Sequence, residues 1–230
     1  MEAIVDVYFL PKPVEAELCV IIDVLRATTS ITTALHNGAQ CVFPVERVAD
    51  ALKMKKDHPE YILAGEEDGL RIPGFDLGNS PFEFSEDVVK DKSIILKTSN
   101  GTVAAKMVRC QEVLAASFLN LSAVVNYIAK KGRAEIVCSG TLGRVSLEDC
   151  LLAGFIAKNF KNGNDQAKIV SGYAKGVKDI YKELLKSFHA QKLLKLGFGR
   201  DIKFASQVDF TSVVPMMKNH SCFSKRIVDV

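Results

Sequence analysis

Short apolar segments rich in β-branched residues alternate along the chain with segments whose apolar residues recur at helical spacing. The predicted strands are Ile4–Phe9, Leu18–Asp23, Cys41–Val45, Tyr61–Ala64, Ser93–Lys97, Glu112–Ala116 and Ala134–Cys138. The predicted helices between them are Thr28–His36, Val48–Lys56, Val103–Arg109, Ala123–Lys131 and Leu147–Phe160. Runs that are apolar on both faces are typical of strands covered by helices on both sides. The alternation therefore predicts a three-layer α/β/α fold with a mainly parallel, mixed sheet.

The last third of the chain has a different pattern. Apolar residues between Lys175 and Leu196 keep helical spacing throughout, which predicts one long amphipathic helix. Gly197 follows as its expected C-terminal cap. Because nothing around this segment resembles a linker, residues 1–230 are interpreted as a single α/β domain, with two intimately packed subdomains as the alternative.

Composition and charge narrow the class of protein. The 230 residues are 48% hydrophobic and 25% charged, as in ordinary soluble globular proteins. A net charge of +3 with scattered basic residues argues against nucleic acid as a partner. The N-terminus lacks the pattern of a signal peptide, and no apolar run approaches the ~20 residues that span a bilayer. The composition tolerates a homodimer without requiring one.

The six cysteines show neither a CxxC pair nor spacing typical of metal ligands. Several lie inside apolar runs, so we expect reduced thiols buried in the core. Together with the absence of a leader or membrane segment, this expectation predicts a cytoplasmic protein that has no contact with membranes.

Three predicted strands end in clusters of small polar residues that lead into a helix or a turn. These junctions lie at Ile22–Ser30, Leu96–Thr102 and Val137–Arg144. Strand carboxyl ends are where open α/β sheets bind ligands, and backbone N–H groups at helix starts favour anions. The pattern predicts a site for a multiply charged anion. Helix capping or turn formation is the alternative role for Thr28 and Thr102.

Carboxylates at the same junctions are candidates for holding Mg²⁺, which prefers a few carboxylates together with water and phosphate oxygens. Asp23 ends an apolar strand, where a buried carboxylate needs a partner, and Arg26 is either that partner or a clamp for phosphate. Asp149 has the spacing of a capping box with Ser146 as its alternative role. The candidate metal ligands, of which two or three are expected to bind, are Asp23, Glu66, Asp76, Glu148 and Asp149.

The same segments carry a resemblance to the 2-phosphosulfolactate phosphatase family. The family's Ile-Asp-Val-Leu-Arg-Ala-Thr-Thr pattern is found at Ile22–Thr29, and its Gly-Phe-Asp-Leu-Gly-Asn-Ser-Pro pattern at Gly74–Pro81. A Thr-Asn-Gly-Thr-like turn follows at Ser99–Thr102, and a Cys-x-Gly-Thr…Gly-Arg-x-Ser-Leu-Glu-Asp block at Cys138–Asp149. Four long motifs in this order, over nearly the whole chain, make a specific match.

The resemblance implies a Mg²⁺-dependent hydrolase that converts 2-phospho-3-sulfolactate to 3-sulfolactate and phosphate, in coenzyme M synthesis or bacterial sulfolactate metabolism. It also implies an α/β fold unrelated to the common phosphatase folds. Asp23 and Arg26 become the candidate catalytic residues, with Asp23 either attacking phosphorus or binding the metal. The candidate substrate-binding residues are Thr28, Asn79, Asn100, Gly101, Thr102, Ser139, Gly140, Thr141 and Arg144.

One loop departs from the family pattern. Where the family often has Gly-Glu-Arg-Gly-Gly, this chain has two acids, Glu67 and Asp68. Lys97 either restores positive charge or is a surface residue at the strand end. The departure keeps open a phosphatase for another small phosphorylated hydroxy acid, such as phospholactate or phosphoglycerate. A non-catalytic protein that binds anions on the same scaffold is the alternative from a different class.

Overall fold

A computed structural model describes residues 1–99, 101–218 and 221–227. Its strands are β1 Ile4–Tyr8, β2 Val14–Ile22, β3 Cys41–Val45, β4 Ile62–Glu67, β5 Leu70–Arg71, β6 Ser93–Lys97, β7 Val108–Ala116, β8 Arg133–Cys138, β9 Val213–Lys218 and β10 Phe223–Ile227. Its helices are α1 Ala27–His36, α2 Val48–Asp57, α3 Glu86–Val89, α4 Gly101–Met107, α5 Leu121–Lys131, α6 Leu147–Ala157, α7 Asp165–Gly176, α8 Ile180–Leu184, α9 Phe188–Lys195 and α10 Gly199–Ala205.

The strands form one mixed sheet with the order β1-β8-β2-β7-β9-β10-β3-β6-β4-β5. Two groups are parallel internally, β1-β8-β2-β7 and β3-β6-β4. The antiparallel hairpin β9–β10 lies between them and pairs with β7 on one side and β3 on the other. The short strand β5 pairs antiparallel with β4 at the edge. The sheet is therefore mainly parallel, as predicted, and its middle is antiparallel.

Helices cover both faces of this sheet because its central strands are apolar on both sides. Along β2, Val20 and Ile22 pack with residues of α5 to α10, whereas Cys19 and Ile21 pack with residues of α1 and α4. A smaller cluster joins α2 to the outer strands through Ala51. Alternating residues thus bury their side chains on opposite faces, and the three-layer α/β/α prediction is confirmed.

All seven predicted strands are present, with bounds that shift by a few residues. The hairpin β9–β10 was not predicted, because Pro215 interrupts the apolar residues of β9 and β10 is mostly polar, so that its burial depends on pairing with distant strands. No helix within the described ranges is long and apolar enough to cross a membrane.

The prediction of one long helix over Lys175–Leu196 is wrong. Helix α7 ends at the start of this region, α8 and α9 form within it with a break before each, and α10 follows it. Asp179 accepts a hydrogen bond from the Lys182 N–H at 3.0 Å, and Ser187 accepts one from the Ala190 N–H at 3.0 Å. These two side chains start new helices by capping them, which apolar spacing alone does not reveal. Gly197 does lie just after α9, with a left-handed φ of +87°.

The expectation of reduced core thiols is wrong for four cysteines. Cys19 is disulfide-bonded to Cys110, and Cys41 to Cys222, with Cα–Cα distances of 5.9 and 6.0 Å. Both pairs are far apart in sequence, so spacing could not show that neighbouring strands bring them together. Cys138 and Cys150 are free and buried, as expected.

Candidate active site

A cavity of about 290 Å³ lies where the carboxyl ends of β2, β4, β6 and β8 meet. Each strand contributes to its wall: Asp23 follows β2, Glu66 lies at the end of β4, Ser99 follows β6 and Thr141 follows β8. The remaining lining residues come from the adjacent turns and from α9, and they are Leu25, Arg26, Asp68, Gly69, Asn79, Thr98, Leu142, Phe188, His189 and Lys192. The three predicted junctions therefore converge on one site.

Asp23 is held by the turn between β2 and α1. Its carboxylate accepts a hydrogen bond from the Ala27 N–H at 3.3 Å and another from the backbone of Gly101. Gly101 approaches so closely that a Cβ there would lie 2.9 Å from Asp23 Oδ2. Thr28 secures the turn itself, because its hydroxyl donates to the Asp23 carbonyl at 2.8 Å and accepts from the Asp23 N–H. Thr28 thus has the structural role named as its alternative.

Glu66 fixes two loops at the cavity. Its two carboxylate oxygens accept hydrogen bonds from the Gly69 N–H at 2.8 Å and the Ser99 N–H at 3.1 Å. Lys97 is buried and donates to the Glu66 carbonyl at 3.0 Å, so Lys97 is not a surface residue. The β4 and β6 ends are consequently tied together beside Asp23.

Asp149 bridges the first and third junctions. It accepts hydrogen bonds from the Val24 N–H at 2.9 Å and from the Gly140 N–H at 3.0 Å. It does not complete a capping box, because Ser146 caps α6 without a side-chain hydrogen bond. The capping alternative for Asp149 is therefore wrong. Its neighbour Glu148 is buried, and its Oε2 atom has no hydrogen-bond partner among the described residues.

The buried carboxylates repel one another when they are ionised. Burial, together with the charges of Glu66 and Glu148, raises the pKa of Asp23 from 3.8 to about 7. Burial likewise raises the pKa of Asp149, with Glu148 and Asp23 adding to the effect, and the pKa of Glu148 is also raised by burial. A site of this kind favours either bound protons or a bound cation.

Arg26 lines the cavity but has a different partner from the one expected. Its guanidinium donates to Asp201 Oδ2 on α10 at 2.8 Å and to the Gly69 carbonyl at 2.6 Å. It also lies over the Phe198 ring, 4.3 Å from the ring centroid. Arg26 therefore joins the loop after β4 to the C-terminal helices, and Asp201, rather than Asp23, neutralises it.

Several predicted site residues lie away from this cavity. Asp76 accepts a hydrogen bond from the Leu63 N–H at 2.8 Å beside Lys55, and it is not part of the cavity wall. The Thr102 hydroxyl is buried against the Thr98 hydroxyl at 2.8 Å, a structural contact. Asn100 lies outside the described residues.

The segment after β8 forms a tight turn. Thr141 and Arg144 exchange backbone hydrogen bonds at 2.9 and 3.0 Å, and both central residues, Leu142 and Gly143, have positive φ. Gly140 also has positive φ, and a Cβ there would lie 2.5 Å from the Arg144 carbonyl oxygen. The turn projects Leu142 to the surface and separates the first cavity from a second one.

The second cavity, of about 470 Å³, shares Thr141, Leu142, Phe188 and His189 with the first. Arg144 and Lys186 are its cationic lining residues, and Glu148 belongs to its wall. Arg144 thus lies beside the first cavity, which contains Asp23 and Glu66 and is called the carboxylate cavity below, rather than inside it.

His189, Phe188 and Lys192 were missed by sequence reasoning. They lie on α9, inside the segment that was interpreted as one continuous helix, where a lone histidine carries no spacing signal. The only available signal was Ser187, whose capping role places the first turn of α9 at the cavity.

Buried polar atoms without partners mark the same region. Among the described residues they are Asn79 Oδ1, Ser139 Oγ, Glu148 Oε2 and His189 Nδ1. All four residues line one of the two cavities or adjoin the turn between them. Unsatisfied buried groups are rare in folded proteins and are expected where a ligand supplies the partner.

The residues also fit a divalent cation. A cation would give Glu148 Oε2 a partner and would neutralise the repulsion between the like charges of Asp23 and Glu66. Within the described part of the chain, no three Asp, Glu, His or Cys side chains are already arranged around a common metal position. Mg²⁺ does not require such a set, because it keeps several waters and binds through one or two carboxylates and substrate phosphate.

An α/β enzyme whose candidate active site is a cavity with buried carboxylates at the strand ends is the class that this fold and cavity define. The model of the 2-phosphosulpholactate phosphatase family matches residues 9–220. The chain belongs to this family and is a phosphoric monoester hydrolase.

Similar proteins carry the same family name. The chain is 44% identical over 219 residues to a probable 2-phosphosulfolactate phosphatase of Thermotoga petrophila, covering 94% of this chain and 96% of that protein. It is 46% identical over 216 residues to one from Pseudothermotoga lettingae, covering 92% and 95%. It is 45% identical over 219 residues to one from Thermotoga maritima, covering 94% and 96%.

Proposed function

We propose that this protein hydrolyses 2-phospho-3-sulfolactate to 3-sulfolactate and phosphate with the help of Mg²⁺, within coenzyme M synthesis or sulfolactate metabolism. The observation that carries the proposal is the group of buried, mutually repelling carboxylates around Asp23 beside a cavity with unpartnered polar atoms. Such a site is suited to a cation and a phosphate ester bound together. The names of the similar proteins support the choice of substrate.

Asp23, together with either Glu66 or Glu148, would hold the metal, since one or two carboxylates are enough for Mg²⁺. When bound, Mg²⁺ supplies electrostatic stabilisation of the phosphate oxygens. Asp149 has a positioning role, because it orients the Val24 and Gly140 backbones that flank the carboxylates.

The protein also offers groups that can bind the substrate directly. The Ser139 hydroxyl is buried without a hydrogen-bond partner among the described residues and can donate to a substrate oxygen, whereas the unpartnered Asn79 Oδ1 is an acceptor and suits a bound cation or water. Asp23 is either the nucleophile that attacks phosphorus or a ligand that leaves the attack to water. Trapping a labelled aspartyl-phosphate at Asp23 would distinguish the two roles.

The acidic loop after β4 favours a second candidate substrate class. Asp68 pairs with Lys192 at 3.1 Å, and Glu67 lies 3.8 Å from Lys97. Both pairs neutralise cations at the cavity, which reduces its attraction for a highly charged substrate. A phosphorylated hydroxy acid with fewer charges, such as phospholactate, is therefore the alternative.

The test is phosphate release by purified protein from 2-phosphosulfolactate, phospholactate and phosphoglycerate, with Mg²⁺ and then with EDTA. We expect Mg²⁺-dependent release that is fastest with the sulfonate. Asp23→Asn should abolish release, whereas Asp165→Asn, at an exposed helix start, should not change it. Faster release from another ester would identify that ester as the preferred substrate. Binding without release from any ester would favour the non-catalytic alternative.

A cytoplasmic location belongs to the same proposal. It rests on the pathway and on the sequence pattern. Reduced thiols no longer support it, because four of the cysteines form two disulfide bonds. Fractionation of cells that express the full chain checks it.

A further inference from the structure

His189 occupies the boundary between the two cavities. It lies in the first turn of α9, and its ring belongs to the wall of both the carboxylate cavity and the cavity with Arg144 and Lys186. Ser187 fixes this position, because its hydroxyl accepts from the Ala190 N–H and is hydrogen-bonded to Glu148. The start of α9, which carries His189, is therefore anchored to Glu148, one of the carboxylates that act on Asp23.

The imidazole is neutral at this position. Burial, with Arg26 and Lys192 nearby, lowers the pKa of His189 to about 4, although Glu66 opposes the effect. Its Nδ1 atom is buried and has no hydrogen-bond partner among the described residues. An unpaired lone pair is tolerated more readily in such a place than an unpaired N–H, so the proton belongs on Nε2. A neutral ring of this kind donates one hydrogen bond without carrying charge.

We propose that the substrate spans both cavities and that His189 Nε2–H donates a hydrogen bond to its ester oxygen, the oxygen that leaves phosphorus. This inference rests on the proposed function. The phosphoryl group lies by Asp23 and Glu66, and the acid groups extend towards Arg144. The ester oxygen joins these two parts, so it lies at the boundary where His189 is found.

The consequence for catalysis is specific. As water or Asp23 bonds to phosphorus, the P–O bond breaks and its electron pair stays on the ester oxygen. The fixed His189 N–H stabilises this negative charge by a hydrogen bond, and solvent water supplies the proton that completes the alcohol. An alkyl phosphate needs this help because an alkoxide is a poor leaving group. An aryl phosphate such as p-nitrophenyl phosphate does not, because nitrophenolate is stable by itself. A histidine that served only packing would affect both esters alike.

The experiment compares His189→Leu, His189→Gln and the unaltered protein on 2-phosphosulfolactate and p-nitrophenyl phosphate, with thermal midpoints measured for each. We expect His189→Leu to lower kcat about 100-fold for the alkyl ester and less than about tenfold for the aryl ester, as for loss of one transition-state donor. His189→Gln can place an N–H near the Nε2 position, so it should recover part of the alkyl-ester rate.

Equal losses on both esters, or an unchanged rate with the alkyl ester, would overturn the inference. If His189→Leu does not fold, the rates of His189→Gln and His189→Asn are compared instead. Asn is too short to reach the Nε2 position, so His189→Asn should be slower than His189→Gln on the alkyl ester but not on the aryl ester. Absence of phosphate release from the unaltered protein would instead refute the proposed function, so the two failures are distinct.

Discussion

Removing the charge of Asp23 should make the metal-free protein more stable at alkaline pH while it abolishes turnover. Asp23 is buried, and its pKa rises from 3.8 to about 7 because of burial and of the charges of Glu66 and Glu148. A native state that holds an ionised Asp23 above neutral pH therefore carries a free-energy cost that the unfolded chain avoids. Asp23→Asn removes this cost and nearly preserves the size and shape of the side chain.

The magnitude follows from linkage. Each pKa unit corresponds to ~1.4 kcal/mol, so a rise from 3.8 to about 7 corresponds to about 4 kcal/mol. The pKa is raised on folding, so the native state holds the proton more tightly and stability is lost as the pH rises from about 4 to about 7. The carboxamide in Asp23→Asn replaces one acceptor oxygen by an NH₂ group and carries no charge, which weakens the hydrogen bonds from Ala27 and Gly101 at a cost of about 1–2 kcal/mol. We expect a net gain of about 2–3 kcal/mol at pH 8.

The assay is urea denaturation in EDTA at several values between pH 5 and pH 8.5. The unaltered protein should lose stability across this range, and Asp23→Asn should lose much less. Glu148 and Asp149 have raised pKa values and add to the same trend in both proteins, whereas His189, with a lowered pKa, acts in the opposite direction below about pH 6.5. An Asp23→Asn protein that is less stable at pH 8 and has an unchanged pH dependence would refute the reasoning.

Two further predictions concern buried side chains that hold the backbone and the helices around the site in place. Asp149→Ala should destabilise the protein by about 2–5 kcal/mol, because it leaves the buried Val24 and Gly140 N–H groups unpaired, and Asp149→Asn should cost less. Asp201→Asn should cost about 3 kcal/mol, because Arg26 and Asp201 form an ion pair in which each side chain is only 3% exposed. Urea denaturation at pH 7 measures both losses.

Each of these predictions has a matched control. Equal losses in Asp149→Ala and Asp149→Asn would show that the hydrogen bonds are not the cause. For the ion pair, the double variant Arg26→Met with Asp201→Leu should be more stable than Asp201→Asn, since it leaves no unpaired buried charge. A double variant that is less stable than the single one would contradict this account.

The sequence predicted the fold where local pattern determines it. The strands of the parallel groups are apolar on both faces, and their carboxyl-end junctions meet at the cavity, as their small polar residues indicated. The hairpin β9–β10 was missed because its burial comes from β7 and β3, which are distant in sequence. The break between α8 and α9 was missed because Ser187 caps a helix within an uninterrupted apolar pattern.

The candidate site was predicted less completely than the fold. Asp23, Glu66 and the Ser139–Thr141 turn were placed at the strand ends by their position in the sequence. The partner of Arg26 was not, because Asp201 lies on a helix whose orientation depends on tertiary packing. His189 was missed for the same reason, since a single histidine becomes informative only when its neighbours in space are known.

The position of the hairpin β9–β10 has a consequence for biosynthesis. These strands follow all the others in the chain, yet they occupy the middle of the sheet, where they join its two parallel groups. While the polypeptide is still emerging from the ribosome, β7 and β3 would each present an unpaired edge until β9 and β10 are available to cover it. Nascent chains stalled before Val213 should therefore depend on chaperones more than chains in which β9 and β10 have been translated.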